Sequence, residues 1–173
     1  MARAIADLVS ELGNAGHRPG GLGVSLGGTV AADGLVRGTH LLAWDEPVDL
    51  AWILQQATGL ATIIDNDVNA FTLAEHWFGV GRDTEDFAVL TIGAGVGLGL
   101  VCGDEVVRGH GGAAGMVGPL PVLGVRTASE VLTTRALEAD AAALLGRPVG
   151  LDEVTGLTAS DERIAAAAAR LTA

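Results

Sequence analysis

The stretch Ala61-Thr62-Ile63-Ile64-Asp65-Asn66-Asp67 decides the fold, because an apolar, β-branched run ends abruptly in three polar side chains. A glycine ladder, Thr91-Ile92-Gly93-Ala94-Gly95-Val96-Gly97-Leu98-Gly99, follows about twenty-five residues later. A carboxylate at a strand end can accept a proton from a substrate hydroxyl, and a glycine-rich turn can offer bare backbone N–H groups to phosphate. Together the two stretches predict the two halves of a phosphoryl-transfer site.

Helices and strands are predicted to alternate on both sides of these stretches. Apolar spacing predicts helices at residues 3–16, 49–58, 68–78, 129–145 and 160–171, with residues 147–158 as a connector. Short apolar runs bounded by Gly and Asp predict strands at residues 22–26, 29–32, 35–37, 61–64, 87–92, 97–102 and 105–108. Gly103-Asp104 is typical of a tight hairpin turn. This pattern predicts a mixed α/β fold.

Length and composition are those of a globular domain. The 173 residues allow one ordinary domain or a truncated piece of a larger one, and 49% hydrophobic with 18% charged residues allows a buried core. No apolar run reaches the roughly 18 residues that a membrane span needs, and no signal-like start is present. The cytoplasm is therefore the expected location. Both ends look unlike complete domain edges, so a fragment of a longer protein is expected.

Charge and cysteine usage exclude several kinds of site. The net charge of −11 argues against nucleic-acid binding by this segment, because it would repel the phosphate backbone. All ten positive side chains are Arg, which excludes a lysine-dependent P-loop. Cys102 is the one cysteine, so neither an internal disulfide nor a cysteine-based zinc site can form. Its place in an apolar strand favours a structural thiol over a reactive one.

Each of the two central motifs has a plainer interpretation. The ladder from Gly93 to Gly99 could simply let a helix approach a strand closely. A dinucleotide fingerprint is excluded because these glycines run into a hairpin, which leaves an anion-binding turn as the functional alternative. At the acidic strand end, Asp or Asn before a helix is a normal N-cap. Three consecutive polar residues exceed what a cap requires, so at least one could contact a ligand.

Several segments taken in order resemble the ROK family of bacterial sugar kinases and sugar-responsive repressors. The resemblance covers roughly residues 20–135 and rests on Leu22–Gly28, Ala43-Trp44, Asp65–Asn69, Ala74–Gly79, Thr91–Gly97, Val107–Gly109 and Gly112–Gly115. It implies part of an actin-like ATPase (sugar kinase/ribonuclease H-like) fold, a mixed sheet with flanking helices. We expect an α/β core over residues 1–125 with the Asn-Asp strand end and glycine-rich hairpin, then an incomplete helical segment over 126–173.

The resemblance also implies roles for individual residues. In the family's kinases the Asp of the Asn-Asp pair takes the proton from the sugar hydroxyl, a role that falls on Asp67, with Asn66 hydrogen-bonding the sugar. The turn Gly93-Ala94-Gly95, with Gly97, resembles the family's second phosphate-contacting loop. ATP and Mg²⁺ are the expected cofactors if the protein is a kinase. The family's first phosphate hairpin is expected before residue 1.

Two departures from the family pattern weaken the kinase expectation. After Ala114-Gly115 the family usually has a sugar-contacting Glu and, three residues on, a His that contacts sugar and ligates a structural zinc. This chain has Met116 and Pro119 there, and Met116 cannot offer the sugar a strong acceptor. The family's cysteine-rich zinc motif is replaced by a segment ending in Glu130, so no zinc is expected. Glu130 is either the retained sugar-binding Glu or, with Thr127, part of a capping box, or both.

The leading functional hypothesis is the sugar-sensing effector domain of a ROK-type transcriptional regulator, without kinase activity in this form. The alternatives are an ATP-dependent hexose kinase with Asp67 as base, and a degenerate remnant that binds nothing. The expected partners are a small-molecule sugar and, only through a separate N-terminal module, DNA. No membrane partner is expected. A homodimer is one expected assembly, because dimers are common among related proteins.

Overall fold

The computed structural model describes residues 1–31, 33–39, 42–44, 46–124 and 126–157. The predicted helix at residues 160–171 lies outside these ranges. The helices are α1 (Ala2–Asn14), α2 (Leu50–Thr58), α3 (Asp67–Phe78), α4 (Ala128–Leu132), α5 (Thr134–Leu145) and α6 (Leu151–Leu157), with a 3-10 turn at His110–Gly112. The strands are β1 (Leu22–Leu26), β2 (Thr29–Val30), β3 (Val36–Gly38), β4 (Thr62–Asn66), β5 (Phe87–Ile92), β6 (Val96–Cys102), β7 (Glu105–Val106), β8 (Pro121–Leu123) and β9 (Arg126–Thr127). This order confirms the mixed α/β class.

The chain divides into two compact units. The first unit comprises residues 1–89 and 99–114, and the second comprises residues 90–98 with the described residues from 115 onward. Strands β5, β6 and β7 form a three-stranded sheet in that order.

In the first unit, β1 and β4 pair in parallel around a small apolar core. Leu22 lies opposite Thr62 and Leu26 opposite Asn66, so the carboxyl ends of both strands meet at one edge. The residues of this core are almost completely buried: Val30, Val36, Leu50, Leu54 and Ile64. The inward side chains of β1 pack against them, as the period of two in a strand requires. The strand end that carries Asn66 is therefore fixed by burial of the residues before it.

Helix α2 begins and ends where the sequence predicts. The Asp49 side chain accepts a hydrogen bond from the Trp52 amide at 2.9 Å, which caps the first turn. Gly59, in the left-handed region with φ 71°, ends the helix. Leu50 and Leu54, one turn apart, bury the helix against the core.

The β6–β7 hairpin confirms the predicted turn and carries the one cysteine. Gly103 and Asp104 both have positive φ, 58° and 67°, which matches the two-residue turn typical of such hairpins. Cys102, at the end of β6, is exposed. A hydrogen bond to Asp86 is the main cause that raises the pKa of its thiol. Cys102 is the last residue of both the apolar run and β6, and this end of the strand faces solvent.

Two expectations for the second unit are wrong in detail. The predicted single helix over residues 129–145 is two helices, α4 and α5, because Thr133 has extended backbone angles, φ −68° and ψ 153°. The Thr133 hydroxyl accepts from the Ala136 amide at 3.3 Å, so a residue read as helix interior is the cap of the second helix. The predicted connector at 147–158 contains α6, and an ion pair joins Arg147, before this helix, to Glu153 within it.

A further hairpin, β8–β9, precedes α4 and was not expected from the sequence. Among the described residues, none of the helices is long and apolar enough to cross a membrane.

Candidate functional site

Strand β4 passes directly into helix α3 at Asn66, with no loop between them. The Asn66 side-chain oxygen accepts from the amides of Val68 at 2.9 Å and Asn69 at 3.1 Å. These two bonds satisfy amides that the helix cannot pair itself. The N-cap interpretation of the strand end is therefore correct, and the capping residue is Asn66.

The Asn66 amide nitrogen is also engaged. It donates to the Gly28 carbonyl at 2.8 Å and to Asp67 Oδ1 at 3.1 Å. A side-chain amide has two donor hydrogens and one oxygen with two lone pairs, so Asn66 makes all the bonds it can. A sugar hydroxyl could bond to Asn66 only by taking the place of one of these partners. The predicted sugar contact of Asn66 stays a prediction.

Asp67, the first residue of α3, keeps one carboxylate oxygen open. Its Oδ1 accepts from Asn66 Nδ2 and from the Val68 amide at 2.9 Å, while Oδ2 accepts from no described residue. The side chain is exposed, and its place in the first turn puts a negative charge at the positive end of the helix dipole. Asp67 is thus held in orientation by one oxygen and can accept a hydroxyl proton with the other.

Asp65 is bound to an arginine 43 residues away in sequence. Arg108 Nη2 donates to Asp65 Oδ2 at 2.6 Å, and Nη1 donates to the Val106 carbonyl at 3.4 Å. Asp65 Oδ1 accepts from the Asn66 amide at 2.8 Å and from Asn69 Nδ2 at 3.4 Å. The sequence reading had missed this partner. No sequence pattern indicates it, because the two residues are 43 positions apart and periodicity carries no information at that separation.

The Asp65–Arg108 pair also lines a groove of about 400 Å³ in the first unit. The groove lies on the face of the β1–β4 pair that carries Gly23, Ser25 and Ile63, and the rest of its lining is mainly apolar. Because Asp65 and Arg108 bond to each other, the groove offers few free polar groups to a sugar.

In the second unit, Gly93-Ala94-Gly95 forms the turn between β5 and β6. The Gly93 amide donates to the Gly95 carbonyl at 2.9 Å, and the Thr134 amide donates to the Gly93 carbonyl at 2.9 Å. The amides of Ala94 and Gly95 donate to no residue that the structure describes. A Cβ added at Gly93 or Gly95 would meet no atom within 4 Å. Neither packing nor a positive φ requires glycine at these two positions, and two adjacent free amides fit a phosphate oxygen.

The other ladder glycines belong to the strand. Gly97 lies within β6, where its carbonyl accepts from Thr91 Oγ1 at 3.3 Å. In the first unit, a Cβ on Gly99 would lie 1.7 Å from Thr72 Oγ1 of α3, so this glycine permits close packing of helix on strand. The close-packing interpretation is therefore correct for Gly99. Phosphate binding by Gly93, Ala94, Gly95 and Gly97 stays a prediction.

Glu130 forms the capping box that its spacing from Thr127 predicts. Its Oε2 accepts from the Thr127 amide at 2.7 Å and from the Thr127 hydroxyl at 2.9 Å. The Thr127 amide, followed by the hydroxyl, lowers the pKa of the Glu130 carboxyl below its ordinary value. Glu130 is thus a cap, and its role as a sugar ligand stays a prediction. Asn66 and Asp67 belong to the first unit, whereas Glu130 and the turn belong to the second.

The loop before β8 presents an apolar side chain. Gly115 has φ 75°, and a Cβ there would lie 1.7 Å from the Leu98 carbonyl oxygen, so the loop backbone is held closely. Met116 follows and is half exposed. No group of three or more His, Cys, Asp or Glu residues in the described part of the chain is arranged to hold a metal ion.

Comparisons with known proteins identify the family. The ROK family model matches residues 1–129. The chain is 41% identical to a beta-glucoside kinase of Listeria monocytogenes over 112 residues, which are 60% of this chain and 37% of that protein. It is 37% identical to the xylose repressor of Caldicellulosiruptor bescii over 102 residues, 57% of this chain and 25% of the repressor.

Structural comparison gives the same family and the fold. The crystal structure of a ROK hexokinase from Thermus thermophilus superposes with a TM-score of 0.72 at 30% identity, covering 98% of this chain and 59% of the hexokinase. The fold is thus part of the actin-like ATPase fold that the family resemblance implies. The chain spans between a quarter and three fifths of these relatives, which include both kinases and a repressor. The chain belongs to the ROK family.

Proposed function

We propose that this chain is the sugar-sensing effector region of a ROK-type transcriptional regulator and does not work as a kinase in this form. The observation that carries the proposal is Met116, a half-exposed thioether where the resemblance calls for a sugar-contacting Glu. A hydroxyl that loses a hydrogen-bonding partner on leaving water costs about 1–3 kcal/mol, or roughly tenfold to a hundredfold in affinity. That loss lowers affinity without abolishing binding.

A sensor and a kinase differ in how much such a loss matters. A sensor needs only that the sugar favours one state of the protein over another. A kinase must also hold one hydroxyl in line with a phosphorus atom, and a misplacement of about 1 Å can cost a hundredfold in rate. The bonds that occupy Asn66 and the capping role of Glu130 leave fewer groups to orient a sugar, which supports the sensor. DNA contact, in this proposal, belongs to a separate N-terminal module.

A hexose kinase is the second candidate, favoured by the open Oδ2 of Asp67 and the free amides of Ala94 and Gly95. In that reaction the sugar hydroxyl oxygen bonds to the γ-phosphorus of ATP as the bond to the ADP oxygen breaks. Asp67 accepts the hydroxyl proton, and the turn amides bind phosphate oxygens. Mg²⁺ would offset the negative charge of the phosphates.

The test uses the full gene product that contains this chain, with a panel of hexoses and pentoses. We expect at least one sugar to raise the melting temperature, and we expect no sugar-dependent ADP release from ATP. Met116→Glu should strengthen binding of that sugar about tenfold by restoring a charged acceptor, whereas Met116→Leu should change nothing.

Sugar-dependent ADP release that Asp67→Asn abolishes would establish the kinase instead. If no sugar shifts the melting temperature and no ADP forms, the chain is the non-binding remnant. A winged helix-turn-helix encoded upstream of residue 1 would add independent support for the regulator.

A further inference from the structure

We infer that Arg108 is a positioning residue for the Asn66-Asp67 pair and acts through Asp65. The sugar-binding part of this inference rests on the proposed function, whereas the positioning itself does not. Arg108 does not contact Asp67. Its guanidinium is joined to Asp67 only through a continuous series of hydrogen bonds along the strand end.

The series begins at a carboxylate that has donors on both oxygens. Asp65 Oδ2 accepts from Arg108 at 2.6 Å, and Oδ1 accepts from the Asn66 amide and the Asn69 side chain. Asp65 thereby holds the backbone of the residue that caps α3 and the side chain of a residue in its first turn. Only 5% of Asn69 is exposed, so this contact is made in the interior.

The second step runs from Asn66 to the reactive carboxylate. Asn66 caps α3 with its oxygen and bonds Asp67 Oδ1 with its nitrogen, which sets the direction of the open Oδ2. The same nitrogen bonds the carbonyl of Gly28, so the pair is also fixed to the two-residue connection between β1 and β2. A displacement of Asp65 must move the Asn66 backbone, and with it the bond that orients Asp67.

Arg108 is suited to this role because its own loop is anchored. The Ala114 amide donates to the Arg108 carbonyl at 3.0 Å. At Gly112, φ is 77° and a Cβ would lie 2.2 Å from the Val30 carbonyl oxygen, so the loop lies directly against β2. The backbone that carries Arg108 is therefore held in place, while its side chain is 44% exposed and is oriented by the bonds to Asp65 and the Val106 carbonyl.

A second ion pair, between Arg37 and Asp33, differs from the Arg108–Asp65 pair in the exposure of its carboxylate. Arg37 bonds Asp33 at the same 2.6 Å, but both side chains are about half exposed, 47% and 48%. Only 19% of the Asp65 side chain is exposed. Loss of Arg37 leaves a carboxylate in water, whereas loss of Arg108 leaves a largely buried carboxylate without its cation, which must then rearrange. Arg37→Gln is therefore the matched control for Arg108→Gln.

The experiment compares Arg108→Gln, Arg37→Gln and the double variant Asp65→Asn/Arg108→Gln in the full gene product. Amide hydrogen exchange and the side-chain NH₂ resonances of Asn66 are measured by NMR without sugar, well below the melting temperature. In Arg108→Gln we expect the Val68 and Asn69 amides to exchange about tenfold faster and the Asn66 resonances to shift. The amides of α2 should be unaffected. The double variant removes both charges and should return exchange to within about threefold of the parent.

Sugar binding provides the second measurement. The sugar that stabilises the parent should bind Arg108→Gln about tenfold more weakly, with near-parent affinity in Arg37→Gln and Arg108→Lys. Unchanged exchange at Val68 and Asn69 in Arg108→Gln would overturn the inference, as would the same change in Arg37→Gln. If the parent binds no sugar, the proposed function fails, while the exchange data still decide the positioning role.

Discussion

The strand end at residues 65–69 and the hairpin turn at residues 93–95 differ in how many of their polar groups are hydrogen-bonded within the protein. At the strand end, Asn66 makes four hydrogen bonds and Asp65 has donors on both oxygens. At the turn, two adjacent amides have no described acceptor, and the space a side chain would occupy is empty. The first region is already organised by the protein itself. The second has two backbone amides that remain free to donate to an anion.

Because of this difference, we expect the strand end to contribute mainly to stability and the turn mainly to ligand binding. Substitutions at the strand end should unfold the protein more easily, whether or not a ligand binds. Substitutions at the turn should leave folding unchanged and alter only the response to a phosphate-containing ligand. The following predictions test that separation, beginning with the largest effect on stability.

Asn66→Ala should have the largest effect, lowering the free energy of unfolding by about 3 kcal/mol. It removes the cap of α3, worth about 1 kcal/mol, and also takes the side-chain partner from the Gly28 carbonyl, at about 1–3 kcal/mol. Asp49→Ala is the control, because Asp49 caps α2 through a single bond and should cost only about 1 kcal/mol. Urea unfolding of both variants gives the comparison. Equal losses would mean that the additional bonds of Asn66 contribute nothing.

Gly99→Ala should be next, costing about 2 kcal/mol. The new methyl group would overlap Thr72 Oγ1 of α3, and a well-packed contact of this kind relaxes at a cost of about 1–3 kcal/mol. Chemical denaturation measures it. The double variant Gly99→Ala/Thr72→Ala should recover part of the loss, since it removes the atoms that clash; no recovery would place the strain elsewhere.

Gly95→Ala and Gly93→Ala should change the free energy of unfolding by less than about 0.5 kcal/mol, because open space surrounds both positions. If the turn binds phosphate, the same substitutions should weaken binding of a non-hydrolysable ATP analogue, measured by calorimetry, because a methyl group would lie in the ligand's path. A clear loss of stability without any effect on nucleotide would remove the contrast between the two regions.

Glu130→Gln should have the smallest effect, visible only as a change in pH dependence. The folded-state pKa of Glu130 is lowered, so the unfolded state binds more protons and the carboxylate adds stability above its ordinary pKa of 4.5. That contribution is lost as pH falls through the folded-state pKa. Melting temperatures from pH 7 to about pH 3 should fall less steeply in Glu130→Gln, and the contributions of Asp33 and Glu153 cancel in the difference.

The sequence was a good guide to what is local. The apolar run ending at Asp65, the cap at the start of α3 and the capping box of Thr127 and Glu130 all depend on neighbours within four residues, and each is present. The break at Thr133 was not predicted, because an Ala-rich stretch favours an unbroken helix and only the local bond of the Thr133 hydroxyl offsets that preference.

Long-range partners were beyond what a pattern can give. The bonds from Asn66 to Gly28 and from Arg108 to Asp65 join residues 38 and 43 positions apart, and periodicity carries no information at that separation. The family resemblance indicated candidate site residues but not which hydrogen bonds they make within the protein. It could not indicate that Asn66 would already have all its partners within the protein.

The direct passage from β4 into α3 has a consequence for how this segment can evolve. Asn66 ends the strand and caps the helix, so no residue between them can absorb a change in length. One inserted residue would turn every later side chain of the strand to the opposite face, or rotate the helix by about 100° relative to the sheet. Divergence here must therefore proceed by replacing side chains. Insertions and deletions are expected to accumulate in the β8–β9 hairpin instead, where the strands are only three and two residues long.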